Sequence, residues 1–229
     1  MNDWLYRFEF HTGDTIDIEA RWSEDDGVIQ ATPGPDSLPD DLKQSVWLEN
    51  DQCSHCPLVP SRSPLCPLAA TIIPVTHRFE QHDSTEAVRV IATSRDREVR
   101  ADTNLQRGLG SLLGLLMGGS ACPHFAFFRP MAAMHLPFSN DEETFFRVIG
   151  NALLSLAMRD EETSLDQANE HLKKQYEALG VVNLGMAQRL RRCATTDSGI
   201  NAVIVLDMLA RLIGDDPEEY IEALRPWYT

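Results

Sequence analysis

Four of the five cysteines in this 229-residue chain have the spacing of metal ligands. Cys53 and Cys56 form a Cys-x-x-Cys pair, Cys66 follows in the same segment, and Cys122 lies much farther along the chain. A thiolate is a soft, strongly binding ligand, and four thiolates complete a tetrahedral shell around one metal centre. His55, inside the first pair, is expected to point away from the sulfurs. The pattern predicts that the four cysteines are the ligands of one metal site.

The spacing leaves the identity of the metal centre open. Structural zinc sites usually take their ligands from two short Cys-x-x-Cys turns, whereas this set is one pair and two single cysteines. Iron–sulfur clusters accept dispersed ligands, and cysteine followed by proline, as at Cys56, Cys66 and Cys122, occurs at their ligand positions. The expected cofactor is therefore an iron–sulfur cluster (4Fe-4S) or Zn. A third interpretation is that the cysteines are buried hydrophobic residues or form a disulfide switch.

A second set of residues is expected to surround this site. From residue 103 to residue 140 the chain has no aspartate or glutamate, although it is rich in both elsewhere. The same stretch holds Arg107, His124, Arg129 and His135. We interpret these four as cofactor-binding residues, because nearby cations would offset the negative charge of four thiolates. The alternative is that a buried apolar segment simply lacks charges, and the two arginines favour the first interpretation.

Composition and charge narrow the class of protein. Hydrophobic residues make up 43% of the chain, enough for a substantial core, and the formal net charge is −15. A chain this acidic repels phosphate backbones, so we expect a protein partner or a homo-oligomer and no nucleic acid. The sequence has no secretory signal and no apolar run of membrane-spanning length, which predicts a cytoplasmic protein without membrane contact. In a reducing compartment, clustered cysteines favour metal binding over disulfides.

Hydrophobic alternation predicts a strand-rich first half, residues 1–102. Apolar residues alternate with charged ones in segments that are separated by turns, which is typical of antiparallel hairpins with one buried face. The predicted strands are residues 4–10, 15–22, 28–31, 86–93 and 97–102. The cysteine loop, residues 51–67, lies between the two hairpins. A short helix over residues 68–79 is expected to break near Pro74.

The second half, residues 103–229, is predicted to be helical because apolar residues recur at steps of three and four. The predicted helices cover residues 103–118, 139–159, 165–193, 200–213 and a short segment from Pro217. Cys193 falls on the apolar stripe of the longest helix and is expected to belong to the core. The chain is thus predicted to be one α+β domain, 1–229. Its N-terminal antiparallel β-sheet would pack on a C-terminal α-helical bundle, with the cysteine metal site joining the two halves.

Three glycines in the first predicted helix of this half need a physical reason. Gly110, Gly114 and Gly118 are spaced by four and therefore lie along one stripe of the helix. Each glycine costs a helix about 1 kcal/mol relative to alanine. We expect another backbone or a bulky group to approach this stripe closely.

The cysteine segments resemble those of a known family. The segments concerned are Cys53-Ser-His-Cys56-Pro-Leu, Cys66-Pro, Cys122-Pro-His124, Arg129-Pro-Met131 and His135-Leu-Pro-Phe138. They are similar to a proteobacterial family known only as a domain of unknown function, and the resemblance covers nearly the whole chain. It implies that the cysteine segments act as a unit, and it implies no catalytic residues.

The residues favour a metal-binding protein with a sensing or regulatory role. In that role, oxidation or loss of the metal would loosen the link between the two halves. One alternative is a structural zinc protein that acts as an adaptor or forms oligomers. Another is an iron–sulfur-dependent redox enzyme, or an enzyme that uses His124 or His135 for acid–base chemistry. The sequence assigns no catalytic residue.

Overall fold

The computed structural model describes residues 2–159, 163–193, 197–215 and 217–228, so the ends of the predicted domain, Met1 and Thr229, lie outside it. The fold is α+β, as the sequence predicts. The strands are β1 (Trp4–Phe10), β2 (Thr15–Trp22), β3 (Ile29–Thr32), β4 (Ala87–Ser94) and β5 (Glu98–Asn104). The helices are α1 (Pro67–His77), α2 (Leu105–Gly118), α3 (Arg129–Ala133), α4 (Asp141–Ala157), α5 (Leu165–Cys193), α6 (Ser198–Asp215) and α7 (Pro217–Leu224).

Within the described ranges no single helix is long and apolar enough to cross a membrane. By length and composition, only α2 and the segment Pro123–Ala133, bent by 106° between them, pass that test together.

The sheet buries one face because apolar side chains alternate with polar ones along its central strands. β1 is the middle strand and pairs antiparallel with β2 on one side and β4 on the other, which gives the order β3-β2-β1-β4-β5. Tyr6 and Phe8 of β1 and Val90 of β4 are fully buried. On the opposite face, Arg7 and Asp17 form an exposed cross-strand ion pair of 2.8 Å. The helices therefore cover only the apolar face.

Helix α2 packs on this apolar face at a position that only glycine can occupy without strain. A Cβ atom at Gly108 would lie 2.8 Å from Cγ2 of Val90 and 3.0 Å from Cε1 of Phe8. Further from the sheet, α2 packs on α6, and α5 packs on α4 and α6. One cluster of buried apolar residues includes side chains from the sheet and from α1 to α6. The core is therefore continuous between the strand-rich and helical parts of the chain.

Some element boundaries differ from the sequence predictions, and local causes explain them. The predicted start of α2 at residue 103 is wrong, because β5 continues to Asn104. The side chain of Asn104 accepts a hydrogen bond from the backbone N–H of Arg107, and this cap starts the helix. The predicted break at Pro74 is also wrong, because α1 continues through it to His77. Proline costs a helix one N–H donor, but its fixed φ is helical, and Pro74 is buried among apolar neighbours.

Candidate metal centre

The cysteine loop is closed at its base by backbone pairing. Trp47 and Leu65 form an isolated antiparallel bridge, and the N–H of Cys66 donates to the carbonyl of Val46 at 2.8 Å. Within the loop, the N–H of Cys56 donates to the carbonyl of Cys53 at 3.0 Å, which makes the Cys-x-x-Cys segment a tight turn. The loop therefore presents three cysteines, two in the turn and one at its base.

The two single cysteines each stand immediately before a helical segment that begins with proline. Cys66 is the residue before α1, and Cys122 is the residue before a 3-10 helical segment, Pro123–Phe128. Proline is favoured at the first helical position because its missing N–H would have no helical partner there. The cysteine–proline pairs thus have a structural explanation that is independent of the metal.

All four predicted ligands line one small cavity. Cys53, Cys56, Cys66 and Cys122 surround a space of about 20 Å³, which is room for little more than one water molecule. All four are free thiols; Cys122 is buried and the other three are half-buried. Cys122, which is distant in sequence, therefore lines the same cavity as the three cysteines of the loop.

The four thiols do not form a metal coordination site as they are arranged in this structure. Among the residues that the structure describes, no three or more histidine, cysteine, aspartate or glutamate side chains form a group that could hold a metal ion. The prediction of a metal site that joins the two halves is therefore not shown, and only the α+β architecture is confirmed.

Burial and the neighbouring cysteines raise the pKa of two of the thiols. The pKa of Cys122 is raised to about 12, mainly by burial; a backbone hydrogen bond from His124 opposes this shift, and the other three cysteines add to it. Burial is also the main cause that raises the pKa of Cys53, followed by Cys66 and Cys56. A thiolate raises a neighbour's pKa only at short range, because solvent and salt screen the interaction.

A buried cation that the sequence analysis missed lies in the wall of the cavity. Arg189 of α5 is 3% exposed and lines the same space as the four cysteines. Its Nη1 donates to two backbone carbonyls of the cysteine-loop base at 2.8 Å, and its Nη2 donates to a third at 3.2 Å. In the described part of the chain no carboxylate lies within ion-pair distance of this guanidinium. Its charge lowers the pKa of Cys53, so the arginine stabilises negative sulfur.

Two histidines stack beside the cysteines. The ring of His55 stacks on that of His124 with centroids 3.9 Å apart and planes 12° from parallel, and its orientation away from the sulfurs stays a prediction. Nε2 of His55 contacts the carbonyl of Ala178 on α5 at 3.0 Å. His124 lines the cysteine cavity, and its buried Nε2 has no hydrogen-bond partner among the described residues. Burial and then the nearby His55 lower the pKa of His124, so this ring is neutral.

Helix α5 also approaches the loop backbone closely. A Cβ atom at Gly185 would lie 3.3 Å from Sγ of Cys53, so glycine allows the helix and the sulfur to come together. Arg192, two turns further, forms an ion pair of 2.9 Å with Asp51. Met186 lines the cavity from the same helix. Helix α5 therefore forms one wall of the cysteine site.

The other predicted cofactor-binding residues lie at different distances from this site. Arg129 is near it, because its Nη2 donates to the carbonyl of Ser120 at 3.3 Å, two residues before Cys122. Arg107 and His135 line a second, larger cavity. Basic residues from the segment without aspartate or glutamate, residues 103–140, therefore lie in two locations: at the turn that contains Cys122 and in the wall of the larger cavity.

Signals for two of the missed residues were present in the sequence. Arg189 lies three residues after Met186 and four before Cys193, so helical spacing puts it beside the apolar stripe of α5. Gly185 is a glycine inside an amphipathic helix, which indicates a close contact. No pattern in the sequence indicates the stacking of His55 on His124, because it depends on how two distant turns meet.

Comparison with known proteins gives one match. No curated protein and no solved structure matches the chain. The model of one family, described as a domain of unknown function (DUF6901), matches residues 4–229. This match covers the sheet, the cysteine loop and all seven helices. The chain therefore belongs to the DUF6901 family.

Proposed function

We propose that this protein binds a single metal ion, Zn²⁺ in preference to an iron–sulfur cluster, and that the bound ion serves a sensing or regulatory role. The ligands would be Cys53, Cys56, Cys66 and Cys122. One observation carries the proposal: four cysteines from three separate parts of the chain line the same small cavity. A cluster of thiols in one cavity supplies the soft ligands from which a tetrahedral zinc site is built.

The charged and polar residues around the four cysteines support a bound metal ion at this site. Four thiolates around Zn²⁺ carry a net negative charge, which is costly to bury unless a cation or hydrogen-bond donors lie nearby. Arg189 supplies such a cation from the cavity wall, and no described carboxylate neutralises it. His124 offers a neutral imidazole with a buried, unpartnered Nε2 that could donate to a ligand sulfur. A buried, unpaired arginine beside four neutral thiols would otherwise be an unfavourable combination.

The size of the cavity favours one ion over a cluster. A space of about 20 Å³ accommodates a particle the size of a water molecule, and a single ion is of that size. A four-iron cluster with its inorganic sulfides is several times larger and would require the loop to move away from α5. That movement would break the contacts of Arg189 with the loop carbonyls.

The location of the site supports a regulatory role. The ion would link the cysteine loop and the turn at Cys122 beside α5, so its loss would weaken contacts between the strand-rich and helical halves. Metal binding needs thiolate ligands, and an oxidised cysteine is no longer a thiolate. Oxidation of any ligand would therefore release the ion. We also propose that the protein is cytoplasmic, where reducing conditions keep such thiols free, and that a protein partner or a second copy responds to the change.

Elemental analysis of protein purified without oxygen tests the proposal. We expect one zinc per chain and a colourless sample, with zinc lost in Cys66→Ser and retained in the matched control Cys193→Ser. A brown sample that contains iron and sulfide would replace the zinc assignment with the cluster. The same metal content in both variants, or no metal in the parent chain, would overturn the ligand assignment.

A further inference from the structure

A second cavity, much larger than the cysteine cavity, lies among the helices. It has a volume of about 650 Å³, within the range of roughly 300–1,000 Å³ that is typical of small-molecule sites. Helices α2 to α6 contribute to its wall, which is mainly apolar and includes Phe125, Phe128, Leu179, Leu206 and Leu209. The cavity shares no lining residue with the cysteine cavity, so it is a separate site.

The glycine stripe of α2 opens onto this cavity, contrary to the expectation of close packing at all three positions. A Cβ atom at Gly110 would meet no atom within 4 Å, and one at Gly114 would meet only Cδ2 of Leu206, at 3.9 Å. Only Gly118 is tightly packed, since its Cβ would lie 3.1 Å from Cβ of Ala132. Two of the three glycines therefore leave space that no described side chain fills, although each weakens the helix.

A chain of hydrogen bonds in the cavity wall supplies polar groups to this space. The Tyr6 hydroxyl lies 2.6 Å from Nε2 of His135 and 2.8 Å from Oγ of Ser111, which also accepts from the N–H of Phe138 at 3.1 Å. Ser111 and His135 both line the cavity, and His135 is 8% exposed. Nδ1 of His135 has no hydrogen-bond partner in the part of the chain that is described, so it is the nitrogen available to an occupant.

The protons in this chain can be arranged in two ways. In the first, Ser111 donates to Tyr6, Tyr6 donates to Nε2 of His135, and Nδ1 carries a hydrogen that an occupant can accept. In the second, Nε2 donates to Tyr6, Tyr6 donates to Ser111, and Nδ1 becomes an acceptor. Burial and then the charge of Arg147 lower the pKa of His135 to about 3, so the ring is neutral in both arrangements.

Two arginines in the wall favour the first arrangement and an anionic occupant. Arg107 and Arg147 line the cavity, and in the described ranges neither forms an ion pair with a carboxylate. Nη2 of Arg147 donates to the carbonyls of Met131 and Met134 at 2.8 Å, and among the described residues its other nitrogens have no hydrogen-bond partner. Asp141 is the one acidic residue among the described residues of the wall. In a chain of charge −15, this balance is unusual.

We infer that the cavity binds an apolar monocarboxylic acid, such as a medium-chain fatty acid. Its hydrocarbon chain lies against Gly110, Gly114 and the leucines of the wall, and its carboxylate accepts hydrogen bonds from Nδ1 of His135 and from Arg147. Burial of the chain provides most of the affinity, and the two donors provide selectivity for the acid over a neutral analogue.

Binding of dodecanoate and of dodecanol to the full metal-loaded chain, after removal of bound lipid, tests this inference. The two probes have the same chain length and differ in the carboxylate. We expect dodecanoate to bind once per chain in calorimetry, and dodecanol to bind roughly tenfold to a hundredfold more weakly because it lacks the charge-assisted hydrogen bonds. Equal affinities would overturn the assignment of an acid site.

Two pairs of variants locate the binding in the cavity. Gly114→Leu should fill the space and abolish dodecanoate binding, whereas Gly180→Leu should retain it, because Gly180 is a helical glycine with open space outside this wall. Arg147→Gln should weaken dodecanoate and leave dodecanol unchanged. Dodecanoate binding that survives Gly114→Leu in a folded protein, or that is unaffected by Arg147→Gln, would contradict the site.

Discussion

Arg189 shows how one side chain can serve both the fold and the chemistry. It satisfies three backbone carbonyls at the base of the cysteine loop and adds a positive charge to the cavity wall. Because the guanidinium is almost fully buried, neither contribution is screened strongly by water. The hydrogen bonds and the charge can be separated by mutation.

Replacement of Arg189 by lysine and by methionine separates the two contributions. Lysine keeps the charge but loses the planar fork, whereas methionine loses both. We expect Arg189→Met to lower the free energy of unfolding by roughly 3–5 kcal/mol and to weaken zinc binding at least about tenfold, and Arg189→Lys to retain most of the zinc affinity. Urea denaturation and competition with a chelator measure the two effects. Equal zinc affinity in both variants would show that the charge has no role at the site.

His135 predicts a specific dependence of stability on pH. Its pKa is lowered from 6.5 to about 3 in the folded protein, so between these values the unfolded chain binds a proton that the folded chain does not. The contribution of the neutral His135 to the free energy of unfolding is therefore complete above pH 6.5. It falls by about 1.4 kcal/mol per pH unit as the pH drops toward 3. His135→Gln removes this titration, and the variant should lose less stability than the parent chain between pH 6 and about pH 4. Parallel pH profiles from denaturant unfolding would contradict the buried, neutral imidazole.

Residue types and spacing picked out the four cysteines that line one cavity, but not their neighbours. The Cys-x-x-Cys pair and the two Cys-Pro positions could be found by inspection, because each chemistry-bearing residue is explicit in the sequence. The partners of His55 and Arg189 could not, because a partner from a distant segment is fixed only when the helices have packed. Arg107 and His135 were grouped with the cysteines by charge pattern, whereas they line another cavity.

At the scale of elements, glycine has two different structural roles within helix α2. Gly108 allows the helix to contact the sheet, and Gly110, two residues later, faces open space. The same substitution should therefore have opposite effects at the two positions.

Alanine at each glycine tests this difference. Gly108→Ala places a methyl group against Val90 and Phe8 and should lower the free energy of unfolding by about 1–3 kcal/mol. Gly110→Ala should raise it by up to about 1 kcal/mol, because alanine favours the helix and meets no neighbour. Chemical denaturation of the two variants gives the comparison. A loss of stability at Gly110 as large as at Gly108 would rule out the open space there.

Local elements were largely predictable, and their assembly was not. The first hairpin agrees with the predicted residues 4–10 and 15–22, because alternation of apolar and polar side chains, partial in β1 and regular in β2, indicates both the strand and its buried face. The pairing of β1 with β4 joins segments that are far apart in sequence, and no local pattern encodes it. The helix through Pro74 was mispredicted because tertiary burial of α1 outweighs the loss of one hydrogen bond.

At the scale of the whole molecule, the cysteine site lies where four parts of the chain meet. The loop and α1 belong to the strand-rich half, whereas the turn at Cys122 and α5 belong to the helical half. A bound ion would cross-link segments of the chain that are otherwise held together by apolar contacts. Its removal should therefore affect both halves.

Removal of the metal with a chelator tests this link. We expect the free energy of unfolding to fall by roughly 3–4 kcal/mol, the amount that corresponds to an ion present at about a hundred to a thousand times its dissociation constant. Near-ultraviolet signals from the tryptophans of the sheet and far-ultraviolet signals from the helices should shift together. A shift confined to one of the two signals would indicate that the site does not connect the halves.

The central claim, that distant thiols hold one ion together, is tested most directly by zinc titration of Cys122→Ser and Cys193→Ser against the parent chain. Cys122 is the ligand that comes from outside the cysteine loop, and Cys193 is a half-buried thiol of α5 outside the cavity. We predict that Cys122→Ser weakens zinc binding at least about a hundredfold, as loss of a ligand would, while Cys193→Ser binds one zinc per chain like the parent. Unchanged zinc affinity in Cys122→Ser would contradict the account.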